Sequence, residues 1–551
     1  MITRDVSLVV IGSGPAGLAA AIKAKESGID EVVILERSEE LGGLLHQCVH
    51  NGFGLLCFKE DLTGPEFACR LIEKVNELGI EYNLETMVIE LNARRNIKAV
   101  NPQKGVMNLN AGAVVLAMGC RERTYHQVGV MGTRPAGVLT AGTAQRYINV
   151  EGYLPGKEVV ILGSGDIGMI MARRLTLEGA KVLAVVEKLP YVGGLKRNEV
   201  QCIHDFDIPL YLQHTVTKIH GNARIEGVTM VEVDGKGDAN KATERLIGCD
   251  TLLLSVGLIP ENELSLQAGV KLDLLTNGPF VSERMETTIP GIFACGNVVT
   301  VYDLVDYVMW SGEIAGKSAA TLVKGKKTQA RKPKRGKESI SIKAGNNVRF
   351  VSPQSIDKEI EDDVDIYIRV TEPMRNVEIS AGDGNEDIYK KIYRAVTPGE
   401  MVVVRIPAKQ LKTHNELVIK CEKLAWLGIN INFERCTGCR YCEAICSFGH
   451  FDEVNPVKSC IRIYNDLQSN VYFPIIAGPY TDAKCTSQRF VVIQGIEYDA
   501  CALCPICCPI RPFFMEPGTE NSLKCDMCGM DPMCVQFCSS GALTLATEKE
   551  E

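Results

Sequence analysis

Short apolar runs alternate with stretches of helical period through the first half of this chain, an order that predicts a layered α/β fold. Ser7–Ile11 is an apolar β-type run, Leu18–Ser27 a helical stretch, and Glu31–Leu35 a second strand that ends on Glu36. The same order returns with Glu158–Leu162, a helix through Leu177, and Lys181–Val186 ending on Glu187. Further on, the rhythm changes. Val348–Val351, Val364–Val370, Val377–Ser380 and Met401–Ile406 are short runs between turn residues, which predicts a small β-sandwich or barrel over 339–424. That region has no paired His, Cys or acids at catalytic spacing and reads as an accessory spacer.

Both strand–helix junctions are glycine turns. The first is Gly12-Ser13-Gly14-Pro15-Ala16-Gly17, and the second is Gly163-Ser164-Gly165-Asp166-Ile167-Gly168. Glycines let the backbone turn tightly and approach a pyrophosphate, whose charge sits at the helix N-terminus. Glu36 and Glu187 stand where a ribose acceptor belongs. Two dinucleotide sites in one chain form a far more specific signal than one glycine pattern. At the second, a carboxylate repels a 2′-phosphate and favours NAD, while Lys188, Arg173 and Arg174 keep NADP open.

Three more segments narrow the class. Val114–Cys120 is a strand ending in a turn at Gly119, and Asp250–Pro260 ends similarly at Gly257. Thr288–Asn297 carries Pro290-Gly291-Ile292-Phe293-Ala294-Cys295-Gly296-Asn297 before a helical stretch. Together, over about residues 5–325, these resemble the thioredoxin-reductase-like pyridine-nucleotide flavoproteins. The resemblance implies FAD at the first turn, with Gly43 and Gly296 beside it, and NAD(P)H at the second. It implies a discontinuous FAD domain (1–119 and 251–323) around an NAD(P) domain (120–250), then a basic linker (324–338). Asn297 stands where that family usually has Asp; an amide there can still hydrogen-bond ribityl hydroxyls.

The family's dithiol is missing: the first 330 residues hold no C-x-x-C or C-x₄-C, so thiol–disulfide reduction is disfavoured. The loop His46-Gln47-Cys48-Val49-His50-Asn51-Gly52 resembles that of anaerobic glycerol-phosphate-dehydrogenase-like flavoproteins. His46 or His50 is there either a proton donor to the flavin or a structural hydrogen-bonding residue.

The chain has 551 residues and a net charge of −8, which argues against nucleic acid as its main partner. It has no apolar run of about 18 residues, so no transmembrane helix is expected and a cytoplasmic location is. What changes the picture is cysteine: 22 in all, 14 of them after residue 430. In a long chain without an export signal, such density points to metal ligation rather than disulfides.

Cys436-x₂-Cys439-x₂-Cys442-x₃-Cys446 has bacterial ferredoxin spacing, and Cys525-x₂-Cys528-x₅-Cys534-x₃-Cys538 is its partner. In two-cluster ferredoxins the last cysteine of each motif ligates the other cluster. That implies one [4Fe–4S] cluster on Cys436, Cys439, Cys442 and Cys538, and a second on Cys525, Cys528, Cys534 and Cys446. A third would need Cys501, Cys504 and Cys507 with Cys508 or Cys485; Cys421 and Cys460 are expected to be unligated. Residues 425–551 resemble the ferredoxin-like subunits of tungsten and molybdenum enzymes of the aldehyde:ferredoxin oxidoreductase and benzoyl-CoA reductase type.

The expectation is an electron-transfer subunit that connects NAD(H), FAD and the clusters to a protein partner, a tungsten/molybdopterin catalytic subunit or a ferredoxin. The alternative is a self-sufficient flavin dehydrogenase of a small organic substrate, with the clusters as electron exit.

Overall fold

The computed structural model describes residues 2–327, 339–384, 386–424, 426–466, 471–477, 491–493, 496–498, 525, 528 and 532–547. The chain divides into two compact units, Met1–Met374 with Ile379–Glu422, and Arg375–Glu378 with Lys423–Glu551.

The first unit opens with β1 (Ile2–Ile11), α1 (Pro15–Glu26) and β2 (Val32–Leu35). Then come α2 (Gly64–Glu77), β3 (Glu81–Asn83), β4 (Met87–Leu91), β5 (Asn96–Asn101) and β6 (Gly105–Leu116). The strand order is β3-β2-β1-β6-β5-β4, and the distant segment Ile292–Ala294 joins β6 in parallel. Leu8, Val9 and Val10 are sealed in the core, as an apolar strand covered on both faces should be. The alanines of α1 leave little side chain between it and the later helix that packs on it.

A second sheet follows: β7 (Val138–Thr140), α3 (Ala141–Asn149), β8 (Glu158–Leu162), α4 (Asp166–Leu177), β9 (Lys181–Val186), α5 (Lys196–Cys202), β10 (Leu210–Tyr211) and β11 (Thr251–Leu254). All five strands are parallel, in the order β7-β11-β8-β9-β10. A domain boundary at 250 would give β11 to the first sheet. The structure instead pairs β11 with β7 and β8, because its four apolar residues fill the middle of the second sheet. Helix α6 (Val305–Lys327) also corrects the linker: its first four residues, 324–327, continue the helix, and 328–338 lie outside the described residues.

Beyond it, Val348–Ser352, Val364–Val370 and Val402–Ile406 form a three-stranded antiparallel sheet. Ser339–Ala344 pairs in parallel with Glu416–Lys423. In the second unit, Trp426–Ile431 is antiparallel to Leu543–Thr547, and Ile461–Asp466 to Val471–Ile476, with α7 (Tyr441–Phe451) and α8 (Met533–Gln536) packed on each other. Among the described residues no helix is long and apolar enough to cross a membrane.

Candidate functional site

Gly12 sits at φ +99°, a left-handed conformation in which a side chain is strained, and a Cβ there would lie 2.5 Å from Ala117 O. The chain then enters α1 without any side-chain cap, which leaves its first N–H groups available to an anion. The acid behind the turn is fixed. Glu36 is 5% exposed; its Oε2 accepts from Ser13 N (2.8 Å) and Ser13 Oγ (2.6 Å), and its Oε1 from Ser38 N (2.8 Å). Three donors make a buried carboxylate tolerable and hold it in one orientation.

The second turn repeats the arrangement. Glu187 Oε2 accepts from Ser164 N (2.9 Å) and Ser164 Oγ (2.6 Å), and Oε1 from Leu189 N (2.9 Å). Helix α4 also lacks a side-chain cap. Asp166 Oδ1 accepts from Leu195 N (2.8 Å) and Asn198 Nδ2 (2.7 Å), latching the start of α5 over the turn. Ile167 is half-buried on α4, Gly168 N donates to Ser255 Oγ (3.1 Å), and Gly257 follows β11, its carbonyl accepting from Arg123 N (3.0 Å).

A cavity of about 730 Å³ opens at the first turn. Gly12, Gly14, Ala16, Glu36, Gly43, Gly119 and Asn297 all line it, joined by Asp303. Gly17 and Gly296 do not; a Cβ on Gly17 would strike Gly12 O, and one on Gly296 would lie 2.7 Å from Ala16 Cβ, so both serve close packing. Asn297 Oδ1 accepts from Tyr302 N (3.1 Å). Asp303 Oδ1 is buried without a hydrogen-bond partner among the described residues, so it is an acceptor available to an occupant.

A family model for pyridine nucleotide-disulphide oxidoreductases matches residues 6–312. The chain belongs to that family. It is 29% identical over 339 residues to the mitochondrial dihydrolipoyl dehydrogenase of Caenorhabditis elegans, covering 54% of this chain and 64% of that one. It is 25% identical to an opine oxidase subunit of Agrobacterium tumefaciens, covering 63% and 74%. The chain thus spans less than two thirds of the first relative's length. A crystal structure of T. acidophilum thioredoxin reductase covers 58% of this chain and 98% of its own, at 26% identity and a TM-score of 0.48.

That family comprises FAD-dependent oxidoreductases that use a pyridine nucleotide. The residues of the first cavity fit the flavin nucleotide: an uncapped helix, a fixed acid and an orphaned acceptor face one space. The thiols on that cavity do not suit disulfide chemistry. Burial pushes Cys48 up to about 12 and Cys120 up to about 11, which leaves little thiolate near neutrality. Among the described residues no cysteine forms a disulfide. His46 lines the cavity, with its Nε2 bonded to Leu41 O, whereas His50 lines a different one. Arg173 and Arg174 also line that other space, whose walls include neither Glu187 nor Gly163, so the 2′-phosphate reading keeps only Lys188.

In the second unit Cys442, Cys446, Cys525 and Cys534 are buried in one core with Cys460, and Cys436 and Cys538 pack against it. The thiols that act on Cys534 are Cys446, Cys525, Cys528 and Cys442, and those that act on Cys442 include Cys439 and Cys436. Cys460 N donates to Cys446 Sγ at 3.3 Å. Among the described residues no three His, Cys, Asp or Glu side chains are closed to ion-binding distance. Cys485, Cys501, Cys504, Cys507 and Cys508 lie outside the described residues.

Local sequence reasoning missed Ser13 and Ser164, which orient the acids, and Gly193-Gly194, whose amides donate to Ser164 Oγ and Ser164 O. The signal was present: Gly42-Gly43-Leu44 follows Glu36 at the spacing at which Gly193-Gly194-Leu195 follows Glu187.

Proposed function

We propose that the chain is an electron-transfer subunit that connects NAD(H), FAD and two [4Fe–4S] clusters, serving a tungsten/molybdenum aldehyde-oxidoreductase-type catalytic subunit. What supports the reading is a pair of cradled ribose acids in the first unit together with a buried set of soft thiol ligands in the second. FAD, when bound, supplies the junction between two-electron nicotinamide chemistry and one-electron cluster chemistry.

The chain's own contribution is positional. Glu36 and Glu187 present fixed carboxylates to ribose hydroxyls, and the uncapped ends of α1 and α4 offer N–H groups to pyrophosphates. Cys436, Cys439, Cys442 and Cys538 would hold one cubane, and Cys446, Cys525, Cys528 and Cys534 the other. A third would rest on Cys501, Cys504 and Cys507 with Cys508 or Cys485.

Anaerobic titration of the purified protein tests this. NADH should bleach the flavin, and about eight irons per chain should accompany two cubanes. No bleaching by NADH or NADPH sinks the reading. The similarity to an opine oxidase component supports a second one, in which a small organic substrate, rather than a nicotinamide, reduces the flavin.

A further inference from the structure

A second cavity of about 730 Å³ lies in the first unit, between the loop Val49–Gly52 and the helices α4 and α5. Three guanidiniums line it, Arg173 and Arg174 from α4 and Arg197 from α5, against two carboxylates, Asp61 and Asp205. Arg174 is committed: its Nε donates to Asn149 Oδ1 (3.0 Å), and it pairs with Glu178 (2.7 Å). Arg173 and Arg197 form no ion pair or hydrogen bond among the described residues. Arg173 lies over the Phe206 ring, 5.7 Å from its centroid. Arg197 rests against Gly52, where a Cβ would stand 2.9 Å from its Nη2; a larger residue there would push the guanidinium away.

His50 completes the wall. Its Nδ1 faces Asn51 O at 2.9 Å, and a carbonyl only accepts, so Nδ1 carries the proton. Burial first, then Arg197 and Arg173, hold the ring below its ordinary value, so it stays neutral and Nε2 is an acceptor. Nε2 has no hydrogen-bond partner among the described residues. Such a space offers two uncommitted guanidinium forks, which match phosphate and carboxylate oxygens, and one acceptor for a hydroxyl.

We infer that this cavity is a binding site for a small oxyanion bearing a hydroxyl, a phosphate or a hydroxycarboxylate, held by Arg173 and Arg197 with His50 Nε2 accepting its O–H. The site is separate from both glycine turns, since neither contributes to its lining. It is tied to the flavin cavity through Asn149. That side chain accepts from Arg174 and donates to Gln47 O (2.7 Å), and Gln47 lines the first cavity.

Calorimetric titration of the flavin-loaded full chain in Tris chloride tests this, with inorganic phosphate and L-malate as the two probes. Saturable binding of at least one probe is expected, and the tighter of the two assigns the class. The double variant Arg173→Gln/Arg197→Gln should weaken that binding tenfold or more, with flavin content and far-UV circular dichroism unchanged. His50→Phe should weaken it to a lesser degree. The inference is overturned by absence of saturable binding with both probes, by equal affinity in the double variant, or by displacement of the probe on saturation with NADH. The last result would assign the arginines to the nicotinamide nucleotide.

Discussion

At the first turn Ser13 and Ser38 hold Glu36, and the helix behind it opens on Pro15; at the second, Ser164 and Leu189 hold Glu187, and the helix opens on Asp166. The bonds to the acids are the same to within about a tenth of an ångström. What lies over the two turns is not. Gly43 and the loop to Cys48 border an open cavity at the first, whereas at the second Asp166 draws Leu195 and Asn198 down onto the helix end. A proline at that position has no carboxylate with which to do so. One motif therefore builds the acid cradle twice, and the residue at the helix start, with the segment it recruits, decides how the cradle is roofed.

Matched glycine substitutions test this division most severely. Gly12→Ala forces a side chain into a left-handed backbone and against Ala117 O. At about 1–3 kcal/mol of strain it should lower flavin retention about ten- to a hundredfold. Gly163→Ala meets Ser255 O in the same way, yet it should purify with flavin and lose reduction by NADH instead. Absorbance of the purified variants and anaerobic NADH titration read both. Loss of flavin from Gly163→Ala would erase the distinction between the turns.

Replacing the second acid comes next. Glu187→Ala should raise the Kd for NADH about tenfold, the worth of one charge-assisted hydrogen bond, and narrow the gap between NADH and NADPH. Equal weakening of both nucleotides would show that Glu187 only braces the turn. Asp166→Ala should act more gently: it frees Leu195 N and Asn198 without touching Glu187. Faster hydrogen exchange at 195–198 is expected, with flavin content unchanged, and an unaltered exchange pattern would deny the latch.

The smallest effect concerns the thiols that border only the first turn. With its value raised to about 12, Cys48 is ionised to about one part in ten thousand at pH 8. Its thiolate, and hence its alkylation by iodoacetamide, should rise about tenfold per pH unit up to that value, with Cys120 reacting about one unit earlier. Rapid alkylation of Cys48 at pH 8 would reopen thiol chemistry beside the flavin.

Much of this was legible along the chain because the motifs are local. Gly12, Gly14 and Glu36 act within one strand–helix–strand unit, and Cys436, Cys439, Cys442 and Cys446 fall within eleven consecutive residues. The ownership of β11 was not legible: Thr251–Leu254 is apolar enough for either sheet, and only pairing with Val138–Thr140 and Glu158–Leu162 decides. Nor were the roles of Arg173 and Arg174. Their nearness in sequence to the second turn suggests a 2′-phosphate contact, but they stand at the far end of α4 from the glycines, on the wall of another cavity.

By itself the sequence determined that two dinucleotide turns exist, where their acids stand and that cysteines crowd the last part of the chain, since each depends on residue type and short spacing. Tertiary structure alone decided that Asp166 roofs one turn, that Asp303 Oδ1 is left without a partner among the described residues beside the other, and that His50 faces Arg173 and Arg197 rather than the first cavity. Those outcomes depend on which distant segments meet, and the packing of sheets and helices sets that at a range no local pattern carries.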